Sequence, residues 1–304
     1  MSLLELNEKN KQVPHLISRR KFLYGSIITV SAAAITGCVS GIITRKNVQI
    51  TYKTIVLPNL PLAFKGLTIT LASDIHSSPY MTLEDMQEIA ALINKLKSDV
   101  IILPGDFVTT HKNELPPAIE ALSVLHAPMG VYATTGNHEF YVDADLVSEG
   151  IESIGIRMMR NENFALEKEG QKLYLLGIDD INDNEVIAYT EGKSAKHIDA
   201  LFSGVPDNAA TILMCHKPYR FDEFAKTNTG LMLSGHTHGG QIVFGRFGES
   251  VLCLSSMASK YVEGHYEINT GPKRTQMYVS RGLGTVALPM RFNCPPEITQ
   301  ITLG

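Results

Sequence analysis

The residues Gly235-His236-Thr237-His238-Gly239-Gly240-Gln241 follow directly on the apolar run Leu231-Met232-Leu233. Two histidines one residue apart, set between glycines at the end of an apolar strand, can aim two imidazoles at neighbouring points while the glycines admit a ligand to the backbone. A pair of adjacent metal ions would need that arrangement, but a hairpin turn with surface histidines offers the same letters. The rest of the chain separates the two. Asp74-Ile75-His76 follows Leu67-Thr68-Ile69-Thr70-Leu71-Ala72, and Gly105-Asp106 follows Val100-Ile101-Ile102-Leu103. Gly136-Asn137-His138-Glu139 follows Val131-Tyr132-Ala133-Thr134, and His216 follows Thr211-Ile212-Leu213-Met214. Oxygen and imidazole ligands without thiolates suit manganese, zinc, iron or magnesium. Two such divalent ions about 4 Å apart can share a hydroxide that is nucleophilic at neutral pH while both clamp a phosphoryl oxygen. The pair needs one bridging carboxylate, and Asp106, alone after its glycine and central in the order, is the candidate.

The elements between these residues show how they are to be positioned. From Gln49 onward short apolar runs alternate with amphipathic stretches, the pattern of strands interleaved with helices. Thr82-Leu83-Glu84-Asp85 resembles a helix N-terminus, and Leu83, Met86, Ile89, Leu92, Ile93 and Leu96 recur at helical spacing. A second helical stretch runs from Ala118 to Leu125. The polar interval from Asn161 to Gln171 is expected as a surface loop or hairpin connection. Met277-Tyr278-Val279 and Ile298-Thr299-Gln300-Ile301-Thr302 are expected as strands that finish a sheet. The candidate ligands therefore fall at the C-terminal ends of apolar strands, where layered α/β folds build their sites because loops held by rigid strands converge there.

Composition bounds the class. With 304 residues, 44% apolar and 19% charged, the chain can bury a sizeable core and is neither disordered nor polytopic. A net charge of -4 gives no footprint for neutralising phosphate backbones, so no nucleic-acid partner is indicated. Cys38, Cys215, Cys253 and Cys294 show no Cys-x-x-Cys spacing and define neither a disulfide framework nor a zinc ribbon. No repeat or linker divides residues 49–304, whereas residues 1–48 form a separate segment. There Arg19-Arg20 precedes an apolar run from Phe22 to Val39, and Arg45-Lys46 follows it. This resembles a twin-arginine export signal, and Ile35-Thr36-Gly37-Cys38 resembles a lipobox whose cysteine is lipidated after cleavage. An uncleaved membrane anchor is the alternative.

Asp74-x-His76, Gly105-Asp106, Gly136-Asn137-His138-Glu139, His216 and Gly235-His236-x-His238 together resemble the ordered motif set of the calcineurin-like metallophosphoesterases. Ser280-Arg281-Gly282-Leu283-Gly284 and Arg291-Phe292-Asn293 are similar to a bacterial branch that includes twin-arginine-exported phosphodiesterases and some UDP-2,3-diacylglucosamine diphosphatases. The resemblance covers nearly everything from Gly66 to the C-terminus and implies a four-layer α/β/β/α sandwich. It also implies two divalent ions, one held by Asp74, His76, Asp106 and His238, the other by Asp106, Asn137, His216 and His236. His138 would lie beside them without ligating, and would stabilise phosphoryl charge, protonate the leaving oxygen or merely orient a neighbour. Arg281 and Arg291 would contact substrate phosphate or form structural ion pairs. Many members carry a second acidic residue three positions after the Gly-Asp aspartate, and here Thr109 stands there. Cys215, beside a ligand, is expected as a small buried side chain and not a nucleophile.

The expected function is hydrolysis of phosphodiester or pyrophosphate bonds in a small-molecule or lipid substrate by a metal-bridging hydroxide. The enzyme is expected outside the cytoplasm, membrane-associated through its N-terminus and served by the twin-arginine export machinery. One alternative is a UDP-2,3-diacylglucosamine diphosphatase on the cytoplasmic face of the membrane. Another is a non-catalytic scaffold that keeps only the fold.

Overall fold

Val100-Ile101-Ile102-Leu103 has no polar side to turn to water, so a strand of these residues must be covered on both faces. The computed structural model, which describes residues 37, 39–180, 194–248, 250–253, 255–257, 259–271 and 273–304, meets that requirement with two stacked sheets. The first sheet comprises β1 (Gln49–Ile55), β2 (Thr68–Leu71), β3 (Val100–Leu103), β4 (Val131–Ala133), β5 (Arg157–Met158) and β14 (Glu297–Leu303), in the order β1-β14-β2-β3-β4-β5. The second comprises β6 (Glu162–Lys168), β7 (Gln171–Gly177), β8 (Thr211–Met214), β9 (Leu231–Ser234), β12 (Gly264–Thr270) and β13 (Lys273–Val279), in the order β12-β13-β9-β8-β7-β6. A separate hairpin pairs β10 (Val243–Phe247) with β11 (Ser250–Cys253).

Alternation along the strands sorts the core into three layers. Ile101 and Leu103 pack with Met86, Ile89, Ile93 and Ala118 from helices α1 (Leu83–Lys95) and α2 (Leu115–Leu122). Val100 and Ile102 face the other way and meet Ile212, Met214, Leu231 and Leu233 between the sheets. Leu213, Met232, Met277 and Val279 form the outer side of the second sheet with Leu201, Phe221 and Phe224. The result is an α/β/β/α sandwich. Helix α1 begins where its sequence indicates: Thr82 Oγ1 accepts from Asp85 N, while the Asp85 carboxylate accepts from Thr82 N.

Two segments differ from expectation. The polar interval after Asn161 is itself the edge strand β6, paired antiparallel with β7. Only Leu166 of β6 is fully buried, and a strand with one paired edge and one covered side need not look apolar. The two late strands do not finish one sheet: β13 joins the second, while β14 inserts between β1 and β2 of the first.

The chain divides into compact units Met1–Ser40 and Gly41–Gly304, the second being the sandwich. Residues 41–48, grouped above with the leading segment, belong to that second unit. Within it Arg45 Nη1 donates to Tyr80 O at 3.2 Å and Lys46 pairs with Asp85 at 2.7 Å. Arg19-Arg20, Cys38 and the apolar run from Phe22 through Thr36 lie outside the described residues. No helix among the described residues is long and apolar enough to cross a membrane.

Candidate metal centre

Strands β2, β3, β4, β8 and β9 end on one rim, and the loops that leave them carry Asp74 and His76, Asp106, Asn137 and His138, His216, and His236 and His238. Asp74, His76, Asp106, His236 and His238 all adopt left-handed backbone conformations, with φ between 51° and 71°. Non-glycine residues take that conformation at a cost, and such residues persist where the surroundings over-determine them. Here the loops brace one another. Asp74 N donates to Gly105 O at 3.1 Å and His76 N to Asp106 O at 3.0 Å, which ties the β2 loop to the β3 loop. His236 N donates to Asp74 Oδ1 at 2.8 Å, which ties the second sheet to the first. A Cβ at Gly235 would overlap Ser73 Oγ and Asp74 Oδ2, so the histidine loop can approach Asp74 only with glycine there.

The side chains converge. Asp74, His76 and His238 offer ligand atoms within 4.8 Å of one another, as do His76, Asp106 and His138, and Asp106, His216 and His236. His76 Nε2 lies 3.1 Å from His238 Nε2 and 3.4 Å from Asp106 Oδ2. The His216 Nδ1–H donates to Pro104 O at 2.7 Å, which leaves Nε2 facing Asp106 Oδ2 at 3.0 Å. Asn137 Nδ2 donates to Tyr141 Oη at 3.3 Å, which leaves its carbonyl oxygen as the remaining polar atom. Asp74 Oδ2 and Asn137 Oδ1 are buried without a hydrogen-bond partner. Buried acceptors left unsatisfied cost free energy, and a cation among them removes that cost. The donor set therefore fits a metal.

The buried charges of the cluster act strongly on one another. Burial alone would raise the Asp106 carboxyl, but His216 and His76 beside it hold it well below the usual carboxylate range. Burial likewise works to lower His216, and the charge and hydrogen bond of Asp106 prevail and push it up to about 10. Burial holds the His138 imidazole below the ordinary histidine range, against the pull of Asp106. His138 stacks edge-on against His76, ring centroids 4.5 Å apart, and its Nδ1–H donates to Thr109 O.

Glu139 is the residue whose role the sequence did not reveal. Fully buried, it accepts from Asp106 N at 2.9 Å, Phe107 N at 2.8 Å and Gly136 N at 2.6 Å, so it clamps the β3 loop to the β4 loop. Burial, and then the neighbouring Asp106 charge, push its carboxyl up to about 7. Its position beside Asn137-His138 was the available signal, but nothing in the sequence says which backbone amides it collects.

Arg281 and Arg291 both engage protein groups. Arg291 is wholly buried: Nε and Nη2 donate to Gly284 O at 2.9 and 2.6 Å, Nη1 donates to Arg281 O at 2.8 Å, and Nη2 lies 3.2 Å from His238 Nδ1. It has no reach to a ligand in solution and braces His238 from behind. Arg281 pairs with Glu297 at 3.3 Å and donates to Gln49 Oε1 at 3.4 Å, the structural ion pair that was its alternative. Burial pushes the Cys215 thiol up to about 12, which suits a packing role and not a nucleophile.

A two-sheet sandwich whose strand-end loops gather buried histidines and carboxylates on one rim is the architecture of a metal-dependent phosphoesterase. Residues 67–240 match the family model for calcineurin-like phosphoesterases, and the chain belongs to that family. It is 32% identical over 299 residues to the uncharacterized metallophosphoesterase YkuE of Bacillus subtilis, covering 94% of this chain and 98% of that one. It is 28% identical to a transmembrane protein with metallophosphoesterase domain of Danio rerio, where the match covers 91% of this chain and 62% of the longer relative. An uncharacterized metallophosphoesterase of Aquifex aeolicus is 29% identical, with 79% and 86% covered.

Proposed function

We propose that this protein is a dinuclear metal-dependent hydrolase of phosphodiester or pyrophosphate bonds. The observation that carries the proposal is the place of Asp106 Oδ2, 3.4 Å from His76 Nε2 in the triad Asp74-His76-His238 and 3.0 Å from His216 Nε2 in the triad Asp106-His216-His236. A carboxylate that stands against both triads supports adjacent sites that share it. Asp74, His76, Asp106 and His238 would hold one divalent ion, and Asp106, Asn137, His216 and His236 the other, with manganese, zinc, iron or magnesium all suited to these donors. Such ions, when bound, supply Lewis acidity and a nucleophile at neutral pH. Asp106 would serve both. His138, with Nδ1–H committed to Thr109 O, has Nε2 left for the substrate, and in the protonated form it can donate to the leaving oxygen as the bond to phosphorus breaks. The full set of ligands, all but His236 buried, speaks against a scaffold that has lost chemistry.

Protein stripped with chelator is expected to lose hydrolysis of bis(4-nitrophenyl) phosphate and to regain it on addition of manganese. Full activity in a sample verified as metal-free would refute the proposal. The setting is proposed to be extracytoplasmic and membrane-associated, through the Arg19-Arg20 segment and either a lipidated Cys38 or an unprocessed anchor, and the name of the Danio rerio relative agrees with a membrane setting. Residues 1–48 fused to a reporter active only after folded export should give a signal that Arg19→Lys/Arg20→Lys removes. A reporter held in the cytoplasm would favour a nucleotide-sugar lipid pyrophosphate as substrate instead.

A further inference from the structure

The position three residues after Asp106, which the family resemblance leads one to expect acidic, is Thr109, yet His138 still finds a partner there. The His138 Nδ1–H donates to the Thr109 main-chain carbonyl. That carbonyl belongs to the peptide group whose N–H is the amide of Thr110, and Thr110 N donates to Glu114 Oε2 at 2.8 Å. Glu114 is almost wholly buried and takes two more amides on the same oxygen, Thr109 N at 2.7 Å and His111 N at 3.0 Å. From the other side Thr109 Oγ1 donates to Ser77 O at 3.1 Å, one residue beyond His76. Helix α2 starts immediately after Glu114, so the positive end of its dipole lies beside the carboxylate.

We propose that Glu114 is the positioning residue for His138, acting through the single peptide group between Thr109 and Thr110. An acid–histidine pair is present in this chain with one amide inserted between its members. A carboxylate that accepts the N–H of an amide polarises it and makes its carbonyl a stronger acceptor, and hydrogen bonds in series reinforce one another in a low-dielectric setting. The Thr109 carbonyl is thereby both fixed in place and made more negative. It orients the imidazole and favours its Nδ1–H tautomer, so that Nε2 is the nitrogen offered to the phosphoester. The two further amides hold the loop so that the carbonyl cannot swing away. A plain turn on a protein surface would satisfy those amides with water, and burying a carboxylate to do so has a cost that a positional task explains.

The inference rests on the proposed role of His138, and its test separates the two. Full-length, metal-loaded protein is assayed on bis(4-nitrophenyl) phosphate as wild type, Glu114→Gln, His138→Gln and the double variant. Glu114→Gln keeps an acceptor but removes the charge. It is expected to lower kcat by about 10- to 100-fold, the usual cost of losing a residue that orients a working side chain, with KM within about twofold and metal content unchanged. In the His138→Gln background the same change is expected to cost less than about twofold, because the group it positions is already gone. Two readouts without substrate accompany the kinetics. The amides of Thr109, Thr110 and His111 should exchange with solvent faster in Glu114→Gln, and the imidazole nitrogen spectrum of His138 should shift away from the Nδ1–H form. An equal fall in rate in both backgrounds would overturn the inference, since that marks a general structural effect, and so would loss of metal or an unchanged kcat. If His138→Gln alone left the rate intact, both the role of His138 and this inference would fall. A slow His138→Gln beside an unaffected Glu114→Gln would overturn the inference alone.

Discussion

The two sheets contribute to the metal centre in different ways. From the first sheet come Asp74, His76, Asp106 and Asn137, a set rich in oxygen, and its loops are held by backbone amides and by the buried clamp of Glu139. From the second sheet come only imidazoles, and two of these are aimed by groups outside their own loops. His216 is fixed by the Pro104 carbonyl of the first sheet, and His238 has Arg291 against its Nδ1. The carboxylates are thus all on one side of the rim, and the other side offers imidazoles alone. The first side would supply the attraction for cations, and the second would complete their coordination only when the two sheets are in register across the inter-sheet core. The assembled site belongs to the sandwich and to neither half.

That contrast can be broken most severely at Asp106, the one carboxylate common to two triads. Asp106→Ala is expected to abolish stable binding of both ions and to lower phosphodiester hydrolysis by about 10^4-fold or more. Two ions retained per chain in that variant, measured by elemental analysis, would show that the halves are not joined through this residue. Next in size is His138→Gln, which removes a group from the first side that no ion is expected to need. Metal content should persist while turnover falls by roughly 10^2- to 10^4-fold, and loss of metal would instead make His138 a ligand. The smallest expected effect on activity tests the outside support of the second side. Arg291→Met leaves Gly284 O and Arg281 O without their donors at about 1–3 kcal/mol each. It also loosens His238, so metal affinity should fall by about 10- to 100-fold while turnover at saturating metal changes little. Denaturant unfolding with metal titration separates the two consequences. A fall in apparent substrate affinity alone would instead give Arg291 a substrate-binding role.

Much of this site was legible before any fold was known, and for a physical reason. Metal ligands must come from a few residue types, and in a layered α/β chain they must stand where apolar runs end, so Asp74, His76, Asp106, Asn137, His216, His236 and His238 could be marked by type and position. The apolar runs themselves indicated strands covered on both faces, and the Thr82 and Asp85 pair announced the start of α1. Other features were not legible, because they depend on which distant backbone groups come together. Arg291 and Arg281 carry the same charge, and only the structure shows that the first is wholly buried while the second is paired with Glu297. The strand β6 looks like a polar loop because an edge position relaxes the demand for apolar residues. Residue types and local spacing determined the chemistry available and the strands and helices that would carry it. The tertiary structure alone decided that Glu139 joins the β3 and β4 loops, that Glu114 stands one peptide away from His138, and that five candidate ligand residues hold left-handed backbones. Hydrogen bonds to backbone amides leave no mark on the sequence of the residues that donate them, since every residue except proline carries the same N–H.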